Sequence, residues 1–458
     1  MLLTFLSAVL FYLSFPNCIS MYGFWPCIWF FALPLLLALR DQPLGKRFGL
    51  GAFWGLCANG LMAQGLIAIS PAGYLGFVWA LSLQALVFAL LFRSTKYPLV
   101  DIVYWPGAWA LSELVRNNLL GGFSFYISHA QAFCPMMLKF YGIFGCLGMS
   151  FIIFLVNGLI YFAIINRKNR YYYIFVAAII FLSVAGAGNL NRDRNYFKIN
   201  SVCPYLNYPL RICVIQANIS PLEKMDLNLF DHNVALHLYL SELSYLRSHP
   251  DLVIWPETAF PDDLLQSDQW RGPVMAQARH MNADLLVGMA PIIDGKEYNS
   301  ALLINNKGEM GGLYHKQALV PFAETTPLEA WGIHWGRGYH FRSGNKIGLL
   351  ELSRRPTFFG VVICSESAHP AMVRRLRKAG ASFLVEISND GWFTDKPSYM
   401  LHAQAAVMRA VENHMWVIRA ANTGFSFAVD PDGVIHTDGN LKLGREGFGI
   451  FDIMIKNP

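Results

Sequence analysis

Charged residues are scarce in this chain, and the scarcity is concentrated in its first half. Only 14% of the 458 residues are Asp, Glu, Lys or Arg, whereas 54% are hydrophobic. None of the four charged types occurs in residues 1–39, 48–92 or 140–166. Because a water-soluble helix needs a polar face, long segments without charge are typical of helices in a membrane. A cleaved signal peptide would explain only the first segment, so the first half is predicted to be a membrane domain.

Seven apolar segments are predicted to span the membrane, near residues 2–18, 22–39, 48–68, 73–92, 98–116, 138–165 and 171–187. Lys and Arg are concentrated in the connections after the second, fourth and sixth segments. Since positively charged loops stay in the cytoplasm, the N-terminus is expected inside and everything after the seventh segment outside. The predicted domains are a helical bundle (1–190), a polar linker (191–209) and an extracytoplasmic domain (210–458).

Metal-type cysteine spacing is also absent. No two of the eight cysteines form a CxxC pair, and only Cys203, Cys213 and Cys364 lie in the second half. Cys203 and Cys213 are a possible disulfide in an oxidising compartment, although Cys213 lies in an apolar strand and is favoured as a core residue. The net charge of +6 comes largely from the connecting loops and from scattered basic residues. Nucleic acid is not an expected partner, because the second half is predicted to face away from the cytoplasm. No metal or cofactor is predicted.

Short strands alternate with helices in the second half. The strands are predicted at 210–217, 251–256, 284–289, 299–305, 358–364, 382–388, 415–420, 425–430 and 447–453. The helices are predicted at 226–248, 268–282, 368–379 and 398–414, and Asp294-Gly295 and Asp432-Gly433 mark hairpin turns. Buried strands mixed with helices indicate a layered α/β sandwich.

Three segments of the second half each end an apolar or aromatic run on a reactive side chain. They are Leu252–Glu257, Tyr314–Lys316 and Val361–Glu366, which supply a carboxylate, an ammonium and the thiol of Cys364. A base, a cation and a soft nucleophile are the parts needed to make and break an acyl-enzyme. Each has an ordinary alternative: a glutamate capping a turn, a lysine with its head in water, and a structural cysteine. Cys364 precedes a predicted helix near Ala368, whose N-terminal partial charge would favour the thiolate.

Taken together, these segments resemble the carbon–nitrogen hydrolase (nitrilase) superfamily, whose catalytic set is Glu, Lys and Cys in that order. Within it, the chain is similar to the apolipoprotein N-acyltransferase branch, which carries an N-terminal membrane domain. The matching motifs are Trp255-Pro256-Glu257-Thr258, Lys316 with Leu319-Val320-Pro321-Phe322 and Glu324, Cys364-Ser365-Glu366, Ser388-Asn389-Asp390-Gly391-Trp392-Phe393, Met408–Asn413 and Arg419–Gly424. The implied fold is a multi-span helical membrane domain plus a nitrilase-like four-layer α-β-β-α sandwich.

The resemblance also implies a role for each residue of the site. Glu257 would be the general base, Lys316 the oxyanion stabiliser and Cys364 the nucleophile. Glu324 and Glu366 would orient Lys316 or support the thiol and the intermediates. The implied reaction is ping-pong: the thiol takes an acyl chain from a phospholipid and passes it to the α-amine of a diacylglyceryl-cysteine lipoprotein. No cofactor takes part in this reaction.

Trp392, Ser365 and Asn389 are expected to contact the substrates. The implied location is a bacterial inner membrane with the catalytic domain in the periplasm, and the bilayer itself is an expected partner. The chain departs from the family pattern at Ser365 (usually aromatic), at Met225 (where Trp is expected) and at Ala323 (where Gly is expected). No closing apolar span is recognised after residue 453.

Two alternative functions stay open. One is an amidase, or a paralogue that acylates a different amine, which Ser365 and Met225 would favour. The other is a lipid-binding or lipoprotein-binding protein without catalysis. The intact set of Glu257, Lys316 and Cys364 argues against this second alternative.

Overall fold

Apolar helices occupy the first half of the chain. The computed structural model describes residues 1–67, 71–120, 122, 125–189, 207–320, 324–325, 340–393, 395–439 and 441–456, so most of the predicted linker lies outside the described residues. The α-helices before residue 190 are α1 (Leu2–Ser14), α2 (Ala32–Leu39), α3 (Leu44–Met62), α4 (Pro71–Leu91), α5 (Pro98–Leu119), α6 (Pro135–Ile165) and α7 (Arg170–Asn189). These helices correspond to the predicted apolar segments, with boundaries shifted by a few residues.

The second predicted span is broken into two pieces. A short 3-10 helix, Trp25–Trp29, precedes α2, with Pro26 in its first turn and Gly23 in a left-handed conformation just before it. Among the described residues, Pro71–Leu91, Pro135–Ile165 and Arg167–Gly186 are long and apolar enough to cross a membrane. The chain therefore contains membrane helices, whereas the count of seven spans stays a prediction.

Two six-stranded sheets form the centre of the second half. One has the order β14-β1-β2-β3-β6-β7 and the other β13-β12-β11-β10-β9-β8. In each sheet the central strands are parallel and the outer strands are antiparallel. The strands are β1 (Asn207–Gln216), β2 (Leu252–Ile254), β3 (Asp284–Met289), β4 (Ile292–Ile293), β5 (Lys296–Glu297), β6 (Ser300–Ile304), β7 (Met310–His315), β8 (Leu349–Glu351), β9 (Phe358–Ile363), β10 (Phe383–Ser388), β11 (Trp416–Ala421), β12 (Phe427–Val429), β13 (Ile435–His436) and β14 (Gly447–Lys456).

Helices cover the outer faces of the two sheets. These helices are α8 (Pro221–Met225), α9 (Phe230–Ser248), α10 (Arg271–Met281) and α11 (Pro370–Lys378). A further helix, α12 (Lys396–Asn413), belongs almost wholly to the compact unit that contains the first half of the chain. Side chains alternate between the two faces of a strand. Cys213 of β1 therefore points to the core shared with α9 and α10, whereas its neighbours Ile212 and Val214 join the core between the sheets. On the other side, Leu376 of α11 packs against Gly360 of β9. The predicted four-layer α-β-β-α sandwich is confirmed.

The chain divides into two compact units. The first comprises Met1–Arg194 and Phe393–Glu412, and the second comprises Asn195–Trp392 and Asn413–Pro458. The predicted site residues Glu257, Lys316 and Cys364 all belong to the second unit. Cys213 is a free thiol, and its suggested partner Cys203 lies outside the described residues.

Candidate active site

The carboxylate of Glu257 is held by two hydrogen-bond donors at the end of β2 and lies near a cation. Trp255 and Pro256 separate Glu257 from the strand, and the Glu257 side chain is buried. Its Oε1 accepts a hydrogen bond from Asn299 Nδ2 at 2.6 Å and lies 3.7 Å from Lys316 Nζ. Its Oε2 accepts from the backbone N–H of Asn389 at 2.7 Å. Hydrogen bonds to charged groups are the strong ones, so this carboxylate has one defined orientation.

Lys316 is a fully buried cation between two carboxylates. It directly follows β7, and its side chain is 0% exposed. Its Nζ forms an ion pair with Glu324 Oε1 at 2.8 Å and lies at the longer distance of 3.7 Å from Glu257. Burial alone would lower the pKa of Lys316, but the negative charges of Glu324 and Glu257 outweigh it and raise that pKa above its ordinary value. Lys316 therefore stays charged at neutral pH.

Cys364 stands on a strained turn at the end of β9. Its backbone has a left-handed φ of +54°, which is rare for a residue other than glycine and costs about 1–3 kcal/mol. The residue opens the short 3-10 helix Cys364–Ala368, and α11 begins at Pro370. Cys364 packs against the core between the sheets and is only partly buried.

Glu366 joins the turn of Cys364 to the segment that follows Lys316. Its buried carboxylate accepts the backbone N–H groups of Gln317 (2.6 Å), Ala318 (3.0 Å) and Ile363 (2.8 Å). The hydroxyl of Tyr314 donates to both carboxylate oxygens at 2.8 and 2.9 Å. Burial raises the pKa of Glu366, although the charge of Lys316 and the three backbone N–H donors oppose the shift. Glu366 thus fixes the turn of Cys364 relative to the segment that follows Lys316.

Asn299 is a site residue that the sequence patterns did not reveal. It precedes β6, is 1% exposed, and its Nδ2 donates both to Glu257 Oε1 (2.6 Å) and to Glu324 Oε1 (3.1 Å). Its Oδ1 finds no hydrogen-bond partner within the described part of the chain. A single asparagine before a strand matches no sequence motif. Its contacts with Glu257 form only once β2 and β6 are assembled in the same sheet.

A buried ion network lies behind the site. Arg419 of β11 pairs with Glu386 of β10 and, at 2.7 Å, with Asp390, which follows Asn389. Burial lowers the pKa of Arg419 to about 10, while Cys364 and Glu257 act in the opposite direction. Arg419 and Asp390 occur in the matching motifs, but Glu386 was missed because a carboxylate within an apolar strand belongs to no motif.

The predicted substrate contacts differ in position. The side chain of Trp392 is 40% exposed, so it is available to a ligand. Ser365 Oγ donates to the carbonyl of Ala318 at 3.4 Å, whereas Asn389 Oδ1 accepts from Asn422 at 2.9 Å. The side chain of Met225 and residues 321–323 lie outside what the structure describes. In the described segments, no group of three or more His, Cys, Asp or Glu side chains is arranged to hold a metal ion.

Comparisons with known families match both halves of the chain. Residues 211–453 match the description "Carbon-nitrogen hydrolase", and residues 7–159 match "Apolipoprotein N-acyltransferase N-terminal domain". The first match spans all three segments that carry Glu257, Lys316 and Cys364.

Curated relatives align over nearly the whole chain. The chain is 29% identical over 473 residues to an apolipoprotein N-acyltransferase of Geobacter metallireducens, an alignment that covers 97% of this chain and 87% of that protein. It is 27% identical over 449 residues to the apolipoprotein N-acyltransferase of Wigglesworthia glossinidia brevipalpis, covering 90% and 85% of the two chains. Among solved structures, Saccharomyces cerevisiae Nit3, a member of branch 10 of the nitrilase superfamily, matches with a TM-score of 0.43 and 17% identity over 54% of this chain and 90% of that one.

Proposed function

We propose, since this chain belongs to the carbon–nitrogen hydrolase family, that it is a membrane-bound acyltransferase that N-acylates lipoproteins. The observation that carries the proposal is the arrangement around Lys316, whose buried ammonium lies 2.8 Å from Glu324 and 3.7 Å from Glu257. The segment that follows Lys316 is hydrogen-bonded to the turn that carries Cys364. The family match at residues 7–159 and the relatives named apolipoprotein N-acyltransferase support lipoproteins as the acceptor.

The first half-reaction forms an acyl-enzyme on Cys364. Glu257 takes the thiol proton, and the sulfur attacks the ester carbonyl of a phospholipid to give a tetrahedral oxyanion, which Lys316 stabilises. When the intermediate collapses, the ester C–O bond breaks and the proton passes from Glu257 to the leaving glycerol oxygen. A thioester and a lysophospholipid result. Glu257 suits this role because its carboxylate is held in place by hydrogen bonds but lies 3.7 Å from Lys316, too far for a direct hydrogen bond to that lysine.

The second half-reaction transfers the acyl chain to an amine. The neutral α-amine of a diacylglyceryl-cysteine lipoprotein attacks the thioester, so that a C–N bond forms and the C–S bond breaks. Glu257 accepts the amine proton and returns it to the departing thiolate of Cys364. Because an amide is more stable than a thioester, the transfer runs toward the triacylated lipoprotein. Trp392, Ser365 and Asn389 are proposed to line the path of the substrates.

The proposed location is a bacterial inner membrane, with seven spans and the catalytic domain in the periplasm. Three described helices are long and apolar enough to span a bilayer. The positive charges lie in the connections after the second, fourth and sixth apolar segments, which favours a cytoplasmic N-terminus. An odd number of spans then puts the residues after α7 on the opposite side.

A labelling experiment tests the nucleophile and the donor together. The protein in detergent is incubated with a phospholipid that carries a labelled acyl chain, and the label bound through a hydroxylamine-sensitive thioester is measured. The wild type is expected to retain label and Cys364→Ala to retain none. Cys213→Ala, which removes a buried thiol of β1, is the matched control and should label normally. A labelled Cys364→Ala protein would contradict the proposal.

The acceptor is tested by adding a diacylglyceryl lipoprotein to the labelled enzyme. The mass of the lipoprotein's N-terminal peptide is then measured by mass spectrometry. The expected product gains one acyl chain as the label leaves the enzyme. Release of the label as free fatty acid, with an unchanged lipoprotein, would instead indicate a hydrolase of the amidase type.

A further inference from the structure

Lys224 is a buried lysine next to the proposed base, and the active-site chemistry described above does not use it. It lies in the short helix α8 and is 6% exposed. Its Nζ donates to the backbone carbonyl oxygen of Glu257 at 3.0 Å and lies 3.5 Å from Thr258 Oγ1. Burying an amine costs free energy unless its hydrogen bonds are replaced. The contact with the Glu257 backbone is therefore a specific feature of this site.

The helix that carries Lys224 is itself fixed in place. Ser220 and Glu223 form a capping box at its start, in which each side chain bonds to the other's backbone N–H. Asn233 of α9 donates to the carbonyl of Glu223 at 3.1 Å. Before the helix, the side chain of Asn422 bonds both the N–H and the carbonyl of Ile219. The lysine thus extends from an anchored support.

The peptide that Lys224 contacts has an unfavourable conformation. Thr258 has a left-handed φ of +48°, a conformation that β-branched residues rarely adopt because it is energetically unfavourable. Such a conformation persists only where surrounding contacts enforce it. In addition, β3 passes so close that a Cβ on Gly288 would lie 2.1 Å from the Pro256 carbonyl oxygen and 2.8 Å from Glu257 Cα. Lys224 and Gly288 together confine the backbone of Glu257.

We propose that Lys224 is a positioning residue, which holds the Glu257–Thr258 peptide so that the Glu257 carboxylate stays between Asn299, the Asn389 N–H and Lys316. The proposal rests on the proposed function, because it assigns Lys224 a part in the work of the base. Lys224 acts through the backbone of the base, since its Nζ donates to the carbonyl oxygen of Glu257.

The electrostatic surroundings agree with a donor that acts through a hydrogen bond. Burial lowers the pKa of Lys224 to about 7, and the Glu257 carboxylate partly opposes this shift. His237 of α9, the nearby imidazole, is held neutral because burial lowers its pKa to about 3. Both forms of the lysine amine carry N–H groups, so the hydrogen bond to the Glu257 carbonyl survives the loss of its charge.

Lys224→Met tests the role, because methionine fills the space of the stem and removes the donor. In single-turnover acylation of Cys364 from a labelled phospholipid, we expect a rate about 10- to 100-fold below wild type, as for a small misplacement of a catalytic group. The KM for phospholipid and the thermal unfolding midpoint should stay near the wild-type values. Lys224→Arg, which keeps a donor, should recover part of the rate. The exposed Lys307 offers a matched control, and Lys307→Met should behave as wild type.

A double-mutant cycle separates positioning from a general effect on the fold. In a Glu257→Asp background, the carboxylate is already displaced by one methylene, so Lys224→Met should cost much less than it does in the wild type. Equal costs in both backgrounds, or a wild-type rate for Lys224→Met, would overturn the proposal. If Lys224→Met does not fold, Lys224→Gln replaces it in the same two measurements. Its amide nitrogen is one bond short of the lysine nitrogen, so it should not reach the Glu257 carbonyl. The proposed function fails differently, namely if the wild-type protein itself takes no label.

Discussion

Replacing Asn299 with aspartate would put a third carboxyl group between two that the asparagine now bridges. Asn299 Nδ2 lies 2.6 Å from Glu257 Oε1 and 3.1 Å from Glu324 Oε1, and it is buried. The substitution conserves the size of the side chain but replaces the two N–H donors with an oxygen. Asn299→Asp therefore isolates the contribution of donation to the carboxylates.

The distances give the size of the effect. A charged oxygen at the position of Nδ2 would repel the two carboxylates by about 6 and about 5 kcal/mol at an effective dielectric constant of 20. Since about 1.4 kcal/mol corresponds to one pKa unit, the new carboxyl group would keep its proton at neutral pH. A protonated carboxyl group donates one hydrogen and serves only one of the two acceptors. The lost hydrogen bond to a charged group is worth about 1.5–3 kcal/mol.

A loss of that size in the stabilisation of the transition state slows a reaction by about 10- to 100-fold. We therefore expect Asn299→Asp to slow the acylation of Cys364 by this factor. The pKa of the new carboxyl group is raised on folding, so the unfolded chain releases its proton first as the pH rises. The stability of the variant should therefore fall, relative to wild type, as the pH rises above the ordinary aspartate pKa of about 4. Chemical denaturation at several pH values measures this trend.

A surface asparagine provides the matched control. Asn305 Nδ2 donates to Glu309 Oε2 at 3.1 Å in an exposed turn, so Asn305→Asp makes the same chemical change in water. We expect that control to differ from wild type by less than about 1 kcal/mol in stability and not in rate. An Asn299→Asp protein with wild-type rates across the neutral range would refute the electrostatic reasoning.

Two further substitutions test neighbouring contacts. Glu324 raises the pKa of Lys316, so Glu324→Gln should lower the pKa of that lysine. The alkaline limb of the pH–rate profile for kcat/KM should then move to lower pH, because Lys316 loses its charge at a lower pH than in the wild type. An alkaline limb at the wild-type position would contradict this. Gly288→Ala would bring a methyl group within 2.1 Å of the Pro256 carbonyl oxygen, so we expect a loss of about 1–3 kcal/mol in thermal stability together with slower acylation. Gly272→Ala in α10, where a Cβ meets no atom within 4 Å, is its control and should not lower the stability.

The sequence predicted the parts of the site that lie at the ends of strands. Glu257 and Cys364 follow apolar runs that the structure shows as β2 and β9, and the break after each run is visible in the sequence. Most predicted strands and helices of the second half match the structure within a few residues. β7 was missed because Met310–His315 contains two glycines and has no clear alternation, so Lys316 had no strand in front of it in the prediction.

The residues that the sequence did not reveal act between elements that are distant along the chain. Asn299 reaches Glu257, 42 positions away, and Lys224 reaches the same residue from 33 positions away. Neither lies in an apolar pattern that ends on it, since each belongs to a polar connection or a short helix. The left-handed turn of Cys364 is equally invisible, because a cysteine in that conformation has no preference that the sequence could show.

Three carboxylates interact with the charge of Lys316, two of them buried and that of Glu324 partly exposed, and their hydrogen bonds distinguish them. Glu366 accepts hydrogen bonds from three backbone N–H groups and from Tyr314, so its role is to hold two segments of the chain together. Glu324 forms the close ion pair with Lys316 at 2.8 Å, which keeps the lysine charged. Glu257, at 3.7 Å, feels the same charge without a direct hydrogen bond to it. A base must be free to bind a proton and to release it again. Of the three, Glu257 is therefore best suited to the proposed role of the base. If Glu324 took up a proton instead, Lys316 would lose the negative charge that neutralises it.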